Sequence, residues 1–241
     1  MTVYSHRRFG DIDVVALDRH GGVSSGDFES LNLAAYVGDN ADNVHSNIGL
    51  VAEVVDSKNV AVLRAEHGNV VHHVSGINGI HELPPGDGAV TQIADTSLLA
   101  LSADCVAGAI VNPVNHVIGV FHAGWKGVLA RVVDETWQQM TQLGAHQNAA
   151  HAVLGPSICG TCYEVDTERV DMFRGNQPEC VVDDRHLDIG AGIRAQLNSL
   201  GIQTEVIAGC TCEDENLFSY RRANGKPTGR GGLIVSMRST S

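Results

Sequence analysis

The 241-residue sequence has no apolar run approaching the roughly 18 residues that a membrane-spanning helix needs. Its opening residues, MTVYSHRRFGD, lack the apolar stretch of a secretory leader. Both absences predict a cytoplasmic protein with no membrane partner. Positive charge is also scarce: 16 Lys and Arg stand against 28 Asp and Glu, a formal net charge of −12. Such a chain repels nucleic acid and anionic membrane, although a local basic pocket can still hold a small anion. No repeat, low-complexity tract or linker interrupts it, which predicts one domain over residues 1–241. No exposed heptad or repeated apolar edge calls for a second copy, so a monomer is expected.

Hydrophobic residues make up 43% of the chain, enough for a substantial core. Alternating and continuous apolar runs predict strands at 12–17, 60–64, 69–74, 88–93, 97–102, 105–112, 117–122, 151–154, 203–207 and 232–237. Pro84-Pro85-Gly86 reads as a turn. Asp39 or Asn40 caps a helix whose apolar face is Val44, Ile48, Val51 and Val55. A second helix runs from Gly124 to about 142, with Leu129, Val132, Val133, Trp137 and Met140 inside. A third carries Ile189, Ile193, Leu197 and Leu200. The fold class is α/β or α+β with antiparallel pairs.

The most informative segment is the hairpin 105–122. With Pro113 and Val114 at its turn, Asn112 faces Asn115 and Cys105 faces His122. Opposed residues share one face at about 5 Å, so a thiolate and an imidazole there can grip a metal or act as nucleophile and base. A buried cysteine and a satisfied core histidine are the plainer readings of each residue alone. Catalytic zinc usually takes three protein ligands and keeps a position open. His67, His72 and His73 are the candidates for the third, with a mild preference for His67 in the loop Ala65-Glu-His-Gly68.

The junction His122-Ala-Gly-Trp-Lys-Gly127 joins a strand to a helix through glycine, where a ligand can approach the backbone and Lys126 adds charge. Ser219-Tyr-Arg-Arg222 and Thr228-Gly-Arg230 concentrate arginine, whose fork suits oxyanions. Cys159-Gly-Thr-Cys162 with Cys210-Thr-Cys212 offers a second, four-cysteine zinc as a minor alternative. A CxxC redox pair lacks a thioredoxin-like context.

Taken together these segments resemble the bacterial YfiH-like family, also called the laccase-domain or multicopper polyphenol oxidoreductase family. The shared stretches include Arg19-His-Gly-Gly-Val-Ser24, Ser30-Leu-Asn-Leu33, Val37-Gly-Asp39, Glu66-His-Gly68, Ala103-Asp-Cys105 and HAGWKG at 122–127. They continue through Gly155-Pro-Ser-Ile158, Tyr163-Glu-Val165, Cys210-Thr211, Phe218-Ser-Tyr-Arg-Arg222 and Thr228-Gly-Arg230. The resemblance implies a multilayer α-β-β-α sandwich like that of cytotoxic necrotizing factor deamidases. It implies a zinc ion held by His67, Cys105 and His122, residues that would also be catalytic. The implied activity is purine nucleoside phosphorylase, with methylthioadenosine phosphorolysis and adenosine deamination, so the partners are purine nucleosides and phosphate. An older family label makes the metal copper and the activity polyphenol oxidation, and the related toxin fold suggests a Cys-His hydrolase or deamidase. A purely structural metal in a non-enzyme is a further alternative. Arg19, Asn32, Lys126, Arg222 and Arg230 are the expected substrate contacts, with Asp104 and Glu164 as proton carriers. Two departures stand out: the family's QVHG is Ala65-Glu66-His67-Gly68 here, and the strand after Asp104-Cys105 lacks the family's proline.

Overall fold

Every residue of Ile12–Leu17 is buried, so this strand is covered on both of its faces. Alternation divides its side chains between two cores. Ile12, Val14 and Ala16 join one apolar cluster, and Val15 and Leu17 join another. The same split recurs in the other central strands and stacks the molecule into layers. The structure, a computed structural model, describes residues 3–239.

In chain order the strands are β1 (Val3–Phe9), β2 (Ile12–Leu17), β3 (Asn59–Arg64), β4 (Val71–His73), β5 (Ile80–Pro85) and β6 (Gly88–Thr91). They continue as β7 (Thr96–Ser102), β8 (Val106–Asn112), β9 (Val117–Ala123), β10 (His151–Leu154), β11 (Gln203–Val206) and β12 (Gly231–Met237). Two six-stranded mixed sheets result, ordered β1-β2-β12-β7-β3-β5 and β11-β10-β8-β9-β6-β4. Residues such as Val14, Leu98 and Val235 from the first sheet meet Ala109, Ile118 and Val120 from the second in the central core.

Helices close the two outer faces. Helix α1 (Ala41–Val54) lays Val44, Ile48 and Val51 on the first sheet, against Val15, Val60 and Leu99. Asn40 is its N-cap and accepts from the Asp42 and Asn43 N–H groups, an arrangement worth about 1 kcal/mol. Asp39 instead accepts from Ser24 and Asn32. On the second sheet lie α2 (Trp125–Leu129), α3 (Val132–Gln142), α4 (Thr167–Asn176) and α5 (Ile189–Ser199), followed in the chain by the short α6 (Tyr220–Ala223). The α-β-β-α sandwich expected from the family resemblance is therefore present.

Several expectations need correction. The helix foreseen from Gly124 to about 142 is broken at Arg131, whose φ of 62° is left-handed, so α2 and α3 are separate. Pro84 and Pro85 end strand β5 rather than forming only a turn. This is an edge strand, where the missing proline N–H groups disrupt no ladder. The opposite edge, β1, was not foreseen because VYSHRRF alternates weakly. Helix α4 was not foreseen either, since it buries only Val170 and Phe173.

Candidate metal centre and cleft

The β8–β9 hairpin pairs Ala107 with His122 and Asn112 with Val117. The turn therefore holds four residues rather than two, and Cys105 lies one step before β8 instead of directly opposite His122. The offset amounts to two positions on the ladder. Because strand side chains alternate with period two, it leaves both residues on the same face. Their diagonal relation still brings them together. One donor atom each from His67, Cys105 and His122 lies within 4.8 Å of the others.

His67 reaches this point from the loop after β3, with a left-handed φ of 64°. Its ring meets that of His122 edge-on, with centroids 4.9 Å apart. A side chain at Gly124 would spoil the assembly. A Cβ there would sit 2.9 Å from the Cys105 sulfur and 3.1 Å from His67 Cδ2. His72 and His73 remain on β4, and His72 faces the Pro85 carbonyl.

Asp87, on the β5–β6 connection, organises the centre from behind. Its carboxylate is buried and accepts from the N–H groups of Glu66, His67 and Gly68 at 3.2, 2.9 and 2.7 Å. It also lies 2.9 Å from His122 Nδ1. Burial alone would raise its pKa, but the bonds from His122 and these amides hold it below the ordinary value. The carboxylate favours a proton on Nδ1, which leaves Nε2 for the site. No spacing rule in the sequence pointed to Asp87.

Burial likewise opposes ionisation of Cys105, yet His122 and His67 outweigh it and bring the thiol down to about 6. Burial pulls His122 the other way, but the Cys105 thiolate and Asp87 lift it to about 9. The pair is thus a thiolate and an imidazolium before any metal arrives. The three donors suit a metal ion: two nitrogens and a sulfur converge, one histidine is braced by a carboxylate, and Gly124 keeps the space clear. A tetrahedral zinc ion needs its donors about 3.5 Å apart, so only a small contraction is required.

The centre opens into a cleft of about 400 Å³. Tyr36, Trp125, Tyr163 and Tyr220 provide aromatic wall, and Arg169, Arg221 and Arg230 provide positive charge. The Arg169 guanidinium stacks 4.6 Å from the Trp125 ring centroid, and that of Arg221 lies 5.4 Å from Tyr163. Of the expected substrate contacts, only Arg230 lines this space. Lys126 is exposed beside Trp125 and does not line it. Arg19 stacks on Phe218 and donates to the Glu29 carbonyl. Arg222 is occupied by the carbonyls of Thr211, Asp214 and Leu217. Arg19 and Arg222 share a different depression. Asn32 is fully buried, and its Oδ1 accepts from the Ala34 and Arg230 N–H groups. It positions the Arg230 backbone rather than touching the cleft.

Neither proposed proton carrier is placed for that role. Asp104 borders the cleft, but its carboxylate accepts from Thr211, Ser219 and the Arg221 N–H. Glu164 is exposed and paired with Arg185. The sequence had marked the segment Ser219–Arg222 as basic, but the arginine in the cleft is Arg221. Arg169 carried no motif signal, and half-buried Trp125 both packs against the core of the second sheet and forms cleft wall. Among the described residues a second donor group also forms, from Cys159, Cys162, Cys210 and Glu213. Cys212 is not a member, which corrects the four-cysteine alternative.

An α-β-β-α sandwich with a His-Cys-His centre at the base of an arginine-lined cleft defines a class of candidate metalloenzyme. The family described as multi-copper polyphenol oxidoreductase laccase matches residues 13–238, and the chain belongs to that family. A Streptomyces coelicolor protein named purine nucleoside phosphorylase is 36% identical over 220 residues, covering 88% of this chain and 90% of its own length. A Deinococcus radiodurans protein of the same name is 33% identical over 229 residues, covering 91% and 87%. Among solved structures, YfiH of Bacillus licheniformis superposes with a TM-score of 0.85 at 26% identity, covering 94% of this chain and 93% of that one. YlmD of Geobacillus stearothermophilus gives 0.83 at 28% identity, covering 96% and 93%. Among the described residues, no helix is long and apolar enough to cross a membrane.

Proposed function

We propose that the protein is a zinc-dependent purine nucleoside phosphorylase that also cleaves methylthioadenosine and deaminates adenosine. The observation that carries this reading is the cleft itself. It places aromatic faces, three arginines and the His67–Cys105–His122 centre around one nucleoside-sized volume. The names of the relatives agree with it.

Phosphorolysis breaks the bond from ribose C1′ to the purine nitrogen, and the bonding pair leaves with the base. A phosphate oxygen forms the new bond to C1′. The negative charge of phosphate suits Arg169, Arg221 and Arg230, whose planar forks bind oxyanions. Stacking on Trp125 or Tyr163 suits the purine. Tyr163 is kept protonated by burial, so its hydroxyl is a donor to a departing base. His67, Cys105 and His122 would hold zinc, which would supply Lewis acidity and activation of water for deamination. Asp87 fixes the His122 ring throughout.

The test is incubation of inosine or methylthioadenosine with phosphate, and of adenosine without it. Phosphate-dependent release of base, with ribose 1-phosphate from inosine or 5-methylthioribose 1-phosphate from methylthioadenosine, and conversion of adenosine to inosine are the expected results. Both should vanish in a folded Cys105→Ala variant. Undiminished turnover in that variant, freed of metal, would rule the assignment out.

The donor set also supports a second reading. Two histidines and one cysteine are the core of blue-copper sites, and the family description names copper. Multicopper oxidation of phenols needs several imidazole-rich centres, whereas the second donor group here is thiolate and carboxylate. Metal analysis of protein purified without added copper, paired with phenol turnover, separates the two. The third reading, a Cys105–His122 hydrolase, rests on the thiolate–imidazolium pair.

A further inference from the structure

The cluster of Cys159, Cys162, Cys210 and Glu213 lies apart from the cleft centre and has no place in the chemistry above. One donor atom from each of these residues lies within 4.8 Å of all the others. The three thiols are free, not disulfide-bonded, and each is partly screened from solvent.

Local backbone geometry prepares this convergence. After Cys159 the chain turns back on itself, and the Cys162 and Tyr163 N–H groups both donate to the Cys159 carbonyl, at 3.1 and 3.0 Å. This presents the first and fourth residues of the CxxC stretch on one side. The second loop is brought in by the bridge between Ser157 and Cys210, with the Thr211 N–H donating to the Ser157 carbonyl at 3.1 Å. In that loop the Glu213 and Asp214 N–H groups return to the Cys210 carbonyl, which swings the Glu213 carboxylate toward the sulfurs. The Cys162 sulfur is 3.6 Å from Glu213 Oε1. The Cys159 N–H points at the Cys210 sulfur at 3.3 Å, which ties the two loops together at the cluster.

We propose that Cys159, Cys162, Cys210 and Glu213 form a second metal site that binds one zinc ion and clips together the 157–163 and 210–214 loops. Three soft sulfurs and one carboxylate fill all four positions of a tetrahedral ion, which marks a structural rather than catalytic site. Loading replaces the thiol protons, which pass to solvent, and involves no oxidant or reductant. The clip serves the cleft through both loops. Ile158 and Tyr163 of the first line the cleft wall. Thr211 of the second donates to Asp104 at 2.7 Å, next to Cys105. Arg222 adds a brace by bonding the carbonyls of Thr211 and Asp214 on either side of Glu213.

The test counts zinc per chain in protein purified under reducing conditions, for the wild type and two variants. Two equivalents are expected in the wild type. A His67→Ala/Cys105→Ser variant should keep one, and its cobalt-loaded form should show the strong thiolate-to-metal charge-transfer absorption of a sulfur-rich site. A Cys159→Ser/Cys210→Ser variant should also keep one, without the intense part of that absorption. If that variant fails to fold, the count and cobalt spectrum of the other two proteins decide the matter. The proposal is overturned by a single equivalent in the wild type that disappears in His67→Ala/Cys105→Ser. It is equally overturned by a disulfide among Cys159, Cys162 and Cys210 in reduced, zinc-replete protein. The count is independent of which substrate the cleft accepts.

Discussion

Asp87 and His122 are joined twice. The carboxylate lies 2.9 Å from the imidazole Nδ1, and the Asp87 carbonyl accepts the His122 N–H at 2.8 Å. Through the same carboxylate, the loop bearing His67 is fixed to the strand bearing His122. Asp87→Asn should therefore weaken metal binding and turnover together, by about 10–100-fold, as loss of a ligand-orienting partner typically does. Competition with a chromophoric chelator gives the affinity. Unchanged affinity with lowered turnover would assign Asp87 to the chemistry instead.

Gly124 separates crowding from backbone strain. Its φ of −86° and ψ of −173° are open to any residue, so alanine fits the chain but not the space beside Cys105 and His67. Gly124→Ala should fold, as judged by circular dichroism. Its activity should fall by about 100-fold or more, the usual cost of displacing reacting groups by about 1 Å. Normal activity would show that the donors need no close approach.

The cysteine and histidine of the centre make a pH prediction. Cys105 loses its proton at about 6 and His122 holds its own to about 9. In metal-stripped protein, iodoacetamide labelling of Cys105 should climb as pH rises through 6, far below an ordinary thiol. The stabilisation from the thiolate is lost as pH falls through about 6, and that from the imidazolium as pH rises through about 9. Added zinc should suppress labelling, because a coordinated sulfur is protected. Equal labelling with and without zinc would favour the nucleophile–base reading.

Arg169 and Lys126 flank the same indole ring, but only Arg169 lines the cleft. On the proposed phosphorolysis, Arg169→Ala should raise the KM for phosphate by about 10-fold or more, the scale of one charge-assisted contact. Lys126→Ala should leave it near the wild-type value. The reverse pattern would place the anion at the glycine junction, as the sequence had suggested.

What the sequence revealed follows from how far each signal travels along the chain. Cys105 and His122 were legible because alternation survives an error of two in the hairpin register. The capping of α1 was legible because Asn40 acts on its next few neighbours. Asp87 was not, since its partners are 20 and 35 positions away and nothing local distinguishes it from a turn carboxylate. Arg169 and Arg221 were missed for the same reason: only the assembled sandwich shows which arginines face the cleft. Asn32 and Arg222 belong to shared motifs, yet their polar atoms are used to hold backbone in place.

The His-Cys-His donors arise from a loop after β3, a bend before β8 and the interior of β9, and they meet only when strands of the sandwich are aligned. No excised fragment would retain the grip, unlike a zinc finger whose ion creates the fold. An ion held there would be a passenger on a finished scaffold, exchangeable without unraveling it.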